Sequence, residues 1–144
     1  MPIDDRWDKL NDAAWASFAD AWLAELRGGN NSTDDNGGLS VTWMGFTARP
    51  EQQWKFIRLA TSRAVTDEEL SHIAAGPVEC LLGHHGPQFI DEVEKEAAQS
   101  PQFARMLTGV WKYMIPDDVW TRLQSAQAHV PNSLPSYGPS KADT

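Results

Sequence analysis

The chain has 144 residues, 20 acidic against 12 basic, and a formal net charge of −8. That length suits one domain with a sizeable core, and the acidity argues against a general nucleic-acid binder, which needs a basic face for phosphates. Cys80 is the only cysteine, which excludes an intrachain disulfide, and no apolar run approaches the ~20 residues that a membrane-spanning helix needs.

The opening MPIDDRWDKL is charged and lacks the apolar stretch of a secretory signal. A soluble, cytoplasmic protein is expected. Seven tryptophans are many for this length. Core packing is the default role for large aromatics, and any left on the surface would mark a contact site.

A first helix is predicted from Asp5 or Asp12 to Arg27, with Trp15, Phe18, Trp22 and Leu26 on one stripe. Gly28-Gly29 stops it, and residues 30–38, NNSTDDNGG, read as a flexible polar loop. In the segment near 39–47, Leu39, Val41 and Trp43 alternate as in a strand, but Met44 and Phe46 break the pattern. With no second strand to pair with, it reads as an extended segment packed on helices.

Pro50 opens a second helix that runs towards Ala64, since proline suits a first turn. Thr66-Asp67-Glu68-Glu69 is a capping box and opens a third. Gly76-Pro77 interrupts that helix, because proline removes a backbone hydrogen bond and crowds the preceding turn. Gly86-Pro87 ends one piece and starts the next. Ser100-Pro101 is a cap followed by a first-turn proline. Phe103, Met106, Leu107, Val110 and Met114 then form one helical stripe. A last helix spans about Asp117 to His129 and buries Val119, Trp120 and Leu123. Residues 131–144, rich in Pro, Ser and Gly, read as a flexible tail without packing residues.

The expected fold is all-α: one domain over residues 1–130, a compact bundle of about six short helices stacked as antiparallel hairpins. The elements AWLAEL (21–26), EQQWKFI (51–57), IAAGPVECLLGHHG (73–86) and GVW (109–111) resemble a family of small bacterial proteins known only as a domain of unknown function. The resemblance covers most of residues 15–125, and the interrupted helix at Gly76-Pro77 is its most specific part. It implies a compact helical domain of bacterial origin and carries no activity, ligand or catalytic residue.

His72, Gly76, Glu79 and Gly83 follow one another at spacings of four, three and four, which places them on one helical face. Two glycines would let a ligand or another backbone approach, and His72 with Glu79 would suit acid–base work. The plainer reading is that the glycines permit close helix packing and Glu79 caps free backbone donors. His84-His85 invites a metal, yet adjacent helical residues diverge by about 100° and no HExxH spacing is present. Cys80 beside Glu79 reads as an inert thiol. No nucleophile elbow, phosphate loop or dinucleotide fingerprint occurs. No catalytic residue, metal or cofactor is assigned.

Asp91, Glu92, Glu94 and Glu96 crowd one solvent face. Asp91–Lys95 attract at i,i+4, but Glu92–Glu96 repel. Asp67, Glu68 and Glu69 add charge at another helix start, where the dipole already favours acids. The reading that follows is a protein-binding module with an acidic helical surface, formed by Asp67, Glu68, Glu69, Asp91, Glu92, Glu94 and Glu96, for a basic protein partner. An immunity or inhibitor protein that occludes a basic toxin or effector fits those features. The alternative is a small enzyme or ligand-binding protein with a pocket at His72, Glu79, His84 and His85.

Overall fold

A computed structural model describes residues 3–27 and 40–135. A short 3-10 turn, Asp5–Lys9, leads into α1 (Asp12–Leu26). Then come α2 (Val41–Thr47), α3 (Pro50–Arg63) and α4 (Asp67–Ile73). A π turn, Ala74–Val78, joins α4 to α5 (Glu79–Gln99), and α6 (Pro101–Leu107) and α7 (Asp117–Ala128) complete the order. The fold is all-α. The polar loop expected at 30–38 and the tail beyond 135 lie outside the described residues.

One aromatic cluster organises the N-terminal half. Trp7 stacks on Trp15 with ring centroids 5.5 Å apart, Phe18 meets both, and Phe56 of α3 closes the group. Trp7 is fully buried, so its indole N–H needs a partner, and it donates to Thr47 Oγ1 at 2.9 Å. Of the two starts expected for the first helix, Asp12 is the one observed, and Asp5 opens a separate turn. Asn11 caps α1 afresh, accepting from the Ala14 N–H at 2.8 Å, and the preceding turn stays separate to seat Trp7.

The extended segment expected near 39–47 is also corrected: residues 41–47 form α2. The Ser40 side chain caps it by accepting from the Trp43 N–H, Met44 is buried, and the Trp43 indole donates to Asp4 Oδ2 at 2.8 Å. A seven-residue helix is marginal alone; these caps and tertiary contacts hold it.

The capping box is present as predicted. Thr66 Oγ1 accepts from the Glu69 N–H at 3.1 Å, and Glu69 returns a carboxylate oxygen to the Thr66 and Val65 N–H groups. The same buried carboxylate receives Arg27 from the end of α1. Ser100 caps α6 through the Phe103 N–H, with Pro101 in its first turn. At Gly86-Pro87 the chain changes direction: His85 leaves helical backbone angles (φ −137°, ψ 23°) in the middle of α5.

Three packing expectations change. The stripe from Phe103 to Met114 does not continue as one helix. α6 ends at Leu107, Val110 is buried from the following turn, and Met114 is exposed. Trp120 is half-buried against the core, while its neighbours Val119 and Leu123 are fully buried. Residues 132–134 also pack. Leu134 is buried, its N–H donates to Thr108 Oγ1 at 2.9 Å, and Arg105 donates to the Asn132 carbonyl.

Leu107 is fully buried. Leu107→Ala therefore destabilises by roughly 2–5 kcal/mol in urea unfolding; a loss below about 1 kcal/mol contradicts its place in the core.

The Glu69 carboxyl sits below the usual carboxylate range, chiefly through the Arg27 hydrogen bond and also through the Val65 and Thr66 N–H groups, which together outweigh its burial. A folded pKa below the unfolded one means that this stabilisation is full above the unfolded pKa and is lost as pH falls through the folded one. Glu69→Gln costs about 2 kcal/mol at neutral pH, and the urea midpoints of wild type and variant converge in acid. A gap that stays constant from neutral to acid pH contradicts this role.

Candidate functional site

The exposed face of α4, the π turn and α5 carries the site. Pro77 has no N–H to donate, so the helix cannot keep its ordinary ladder there. It widens by one π turn, and π turns of this kind recur at functional sites. Pro77 and Val78 turn inward, while Ala75 and Gly76 stay exposed. A Cβ on Gly76 would meet nothing within 4 Å, so the notch is open space. Gly83 differs: its Cβ would lie 3.3 Å from Met114 Cβ. Gly83 admits the loop after α6 instead of a packed helix, and Gly76 admits no neighbour.

That loop is held from several sides. Glu79 accepts the Trp111 N–H at 3.0 Å, Lys112 pairs with Asp117 at 2.9 Å, and Ile115 is buried. The Ile115 N–H closes a tight turn on the Lys112 carbonyl at 2.7 Å. Inside it Tyr113 takes φ 40°, the one positive φ at a non-glycine among the described residues. A bulky residue in that region is strained.

The result is an apolar display. Phe46, Tyr113 and Met114 are 55%, 78% and 51% exposed. All three line a groove of about 370 Å³ with Gly76, Cys80 and Gly83. A second hollow of about 400 Å³ continues it past Cys80 to Trp22 and Val41. A third cleft, of about 420 Å³, opens between α4, the 108–111 turn and residues 133–135. Ala75 borders all three, and the whole forms one contoured face.

The pocket expected at His72, Glu79, His84 and His85 is not assembled as one site. Glu79 and His84 line the groove beside Tyr113, whereas His72 borders the other two hollows. His85 lies at the kink, its ring 6.4 Å from that of His84. Glu79 is committed to the Trp111 backbone. Among the described residues no group of three or more His, Cys, Asp and Glu could hold a metal ion.

The acidic surface is also different from its sequence reading. Glu69 is buried on Arg27 and Asp67 pairs with Arg105. Arg122 takes both Asp91 and Glu94, so Asp91 turns to α7 and not to Lys95. Glu96 meets Arg58 at 3.4 Å, which compensates the repulsion expected from Glu92. Glu68 and Glu92 stay solvent-facing, Glu68 with His72 Nε2 at 3.9 Å. Sequence reasoning missed Phe46, Tyr113 and Met114. For Tyr113 and Met114 the signal available was Pro116, which disfavours helix just before it, although the spacing up to Met114 reads as a continuing helix.

Cys80 sits between the two apolar hollows with its thiol donating to the Gly45 carbonyl at 3.4 Å. Burial pushes its pKa up; the thiolate is the reactive form. Iodoacetamide therefore modifies it more slowly at neutral pH than an exposed thiol, with the rate rising as pH is raised. Labelling faster than a free thiol would contradict that environment.

Neither a curated protein nor a solved structure matches the chain. A family model matches over residues 31–130, which takes in every element from α2 to α7 and the exposed face except Trp22 and residues 133–135. The chain belongs to this family of unknown function, DUF6869.

Proposed function

We propose that the protein is a protein-binding module whose contact surface is the groove flanked by Phe46, Tyr113 and Met114. The observation that carries this reading is the exposure of those three side chains around an open notch. Contiguous exposed apolar surface marks an interaction site, and aromatics with Met are enriched at such sites. The occupant that fits is an apolar segment of a partner protein laid along the groove, in the manner of a helix in a hydrophobic channel.

The net charge of −8 adds a preference for a basic partner by steering encounter. Glu68 and Glu92 are the acids best placed to contribute. Asp67, Glu69, Asp91, Glu94 and Glu96 are weaker candidates because arginines of the same chain already hold them. In its most specific form the proposal is a bacterial, cytoplasmic immunity or inhibitor protein that occludes a basic toxin or effector. No helix among the described residues is long and apolar enough to cross a membrane. Catalysis has less support, since Glu79 is engaged and His72 and His84 face different hollows.

The test is quantitative capture from a lysate of the source organism with immobilised wild type and variants. Phe46→Ser removes an exposed side chain, and Ala75→Trp fills the centre of the face; neither touches the core. Both should lower retention of the captured partner at least tenfold, about 1.4 kcal/mol or more, with circular dichroism unchanged. The double change Glu92→Lys and Glu96→Lys should mainly slow association. Retention that survives Phe46→Ser and Ala75→Trp but vanishes on charge reversal would move the interface to the acidic face.

A further inference from the structure

We propose that the cleft beside α4 is an arginine-accepting pocket of the docking surface, with Glu68 pairing the guanidinium and Trp111 offering it an aromatic wall. The assignment rests on the protein-binding reading above, because the cleft shares His72 and Ala75 with the apolar hollows and so continues the same face. It adds the side-chain chemistry that the partner must bring.

The lining is Glu68, Ser71, His72, Trp111, Gln127 and Leu134, with neighbouring backbone. Its volume of about 420 Å³ lies within the range of sites that hold small organic groups. No Lys or Arg lines it. Arg105 is engaged with Asp67 and the Asn132 carbonyl. A cation entering the cleft therefore meets a carboxylate and no competing basic side chain other than His72.

Glu68 differs from its neighbours in the first turn of α4. Asp67 and Glu69 each hold an arginine of this chain, while Glu68 is 62% exposed and has His72 at 3.9 Å as its ion-pair neighbour among the described residues. The helix dipole accounts for an acid at this position. It does not account for a tryptophan in the same cleft. Trp111 is half-buried, lines the same cleft, and has its backbone anchored by Glu79. Leu134, itself buried against Thr108 and Gly109, supplies an apolar wall.

Arginine suits these surroundings better than lysine. Its guanidinium is flat, weakly hydrated and stacks on aromatic faces while forking onto a carboxylate. A lysine ammonium is a strongly hydrated point charge, which an apolar wall does not repay.

The probe is N-acetyl-arginine methylamide, with the citrulline analogue as a neutral isostere and the lysine analogue as the other cation. The readout is the Trp111 indole N–H resonance in a nitrogen-15 spectrum, assigned with Trp111→Phe. The arginine compound should shift that resonance saturably, with a dissociation constant on the order of 1 mM. The citrulline and lysine compounds should bind at least tenfold more weakly, and Glu68→Gln should weaken the arginine compound by the same factor. Phe46→Ser should leave arginine-compound binding unchanged, which separates this pocket from the groove: partner capture can fail while the pocket binds, and the reverse. Absence of a saturable shift, equal binding of the citrulline or lysine compound, or indifference to Glu68→Gln would overturn the assignment.

Discussion

Pro77 is the constraint on which the arrangement depends. A residue without an N–H in the middle of an apolar helix breaks the ladder, and here the chain answers with a π turn instead of a break. α4 and α5 as far as the bend at His85 remain one rod, so Ile73, Ala74, Val78, Leu81 and Leu82 all reach the core. The same widening leaves Ala75 and Gly76 facing outward with open space before them. Everything that reads as functional surrounds that interruption: Phe46 from α2, Tyr113 and Met114 from the loop above Gly83, and His72 and Glu68 from the preceding helix.

Charge is arranged to serve the fold first. The acids at the start of α4 and along α5 meet Arg27, Arg105, Arg122 and Arg58 from other elements. Most of these pairs are solvated, and each contributes little by itself. Glu69 is the exception, because its buried carboxylate accepts from two backbone N–H groups and from Arg27 together. Once such pairs are formed, Glu68 and Glu92 are the carboxylates of the 67–69 and 91–96 stretches that no arginine of the chain holds among the described residues. On the proposed binding reading, affinity would come from apolar contact at the groove, where Phe46, Tyr113 and Met114 are left uncovered.

The fold was legible where a local rule decides structure. Thr66 with Glu69, Ser100 with Pro101, and the Gly-Pro pairs each act within a few residues, and the structure places caps and bends at them. The helix at 41–47 was not legible, because its stability comes from Met44 in the core and from Trp43 reaching Asp4 across the chain. The loop at 111–115 was hidden for the same reason. Its apolar residues continue a helical spacing, while Glu79, 32 positions earlier, and the bare Gly83 decide where it goes. The face from His72 to Gly83 was visible from spacing alone. Its chemistry was not, since engagement of Glu79 and separation of the histidines are tertiary facts.

Tyr113 offers the most direct check on the central claim that this face is kept for binding. Its left-handed backbone costs roughly 1–2 kcal/mol, which glycine avoids; set against the extra chain entropy that glycine loses, about 0.5–1 kcal/mol, Tyr113→Gly should leave the fold as stable or stabilise it by up to about 1.5 kcal/mol. The decisive measurement is urea unfolding of that variant beside its affinity for the partner captured by the wild type. Unchanged or raised stability together with at least tenfold weaker binding is the predicted result, a strained aromatic held in place for contact. Unchanged affinity, or a variant that loses binding only because it unfolds, would contradict the account.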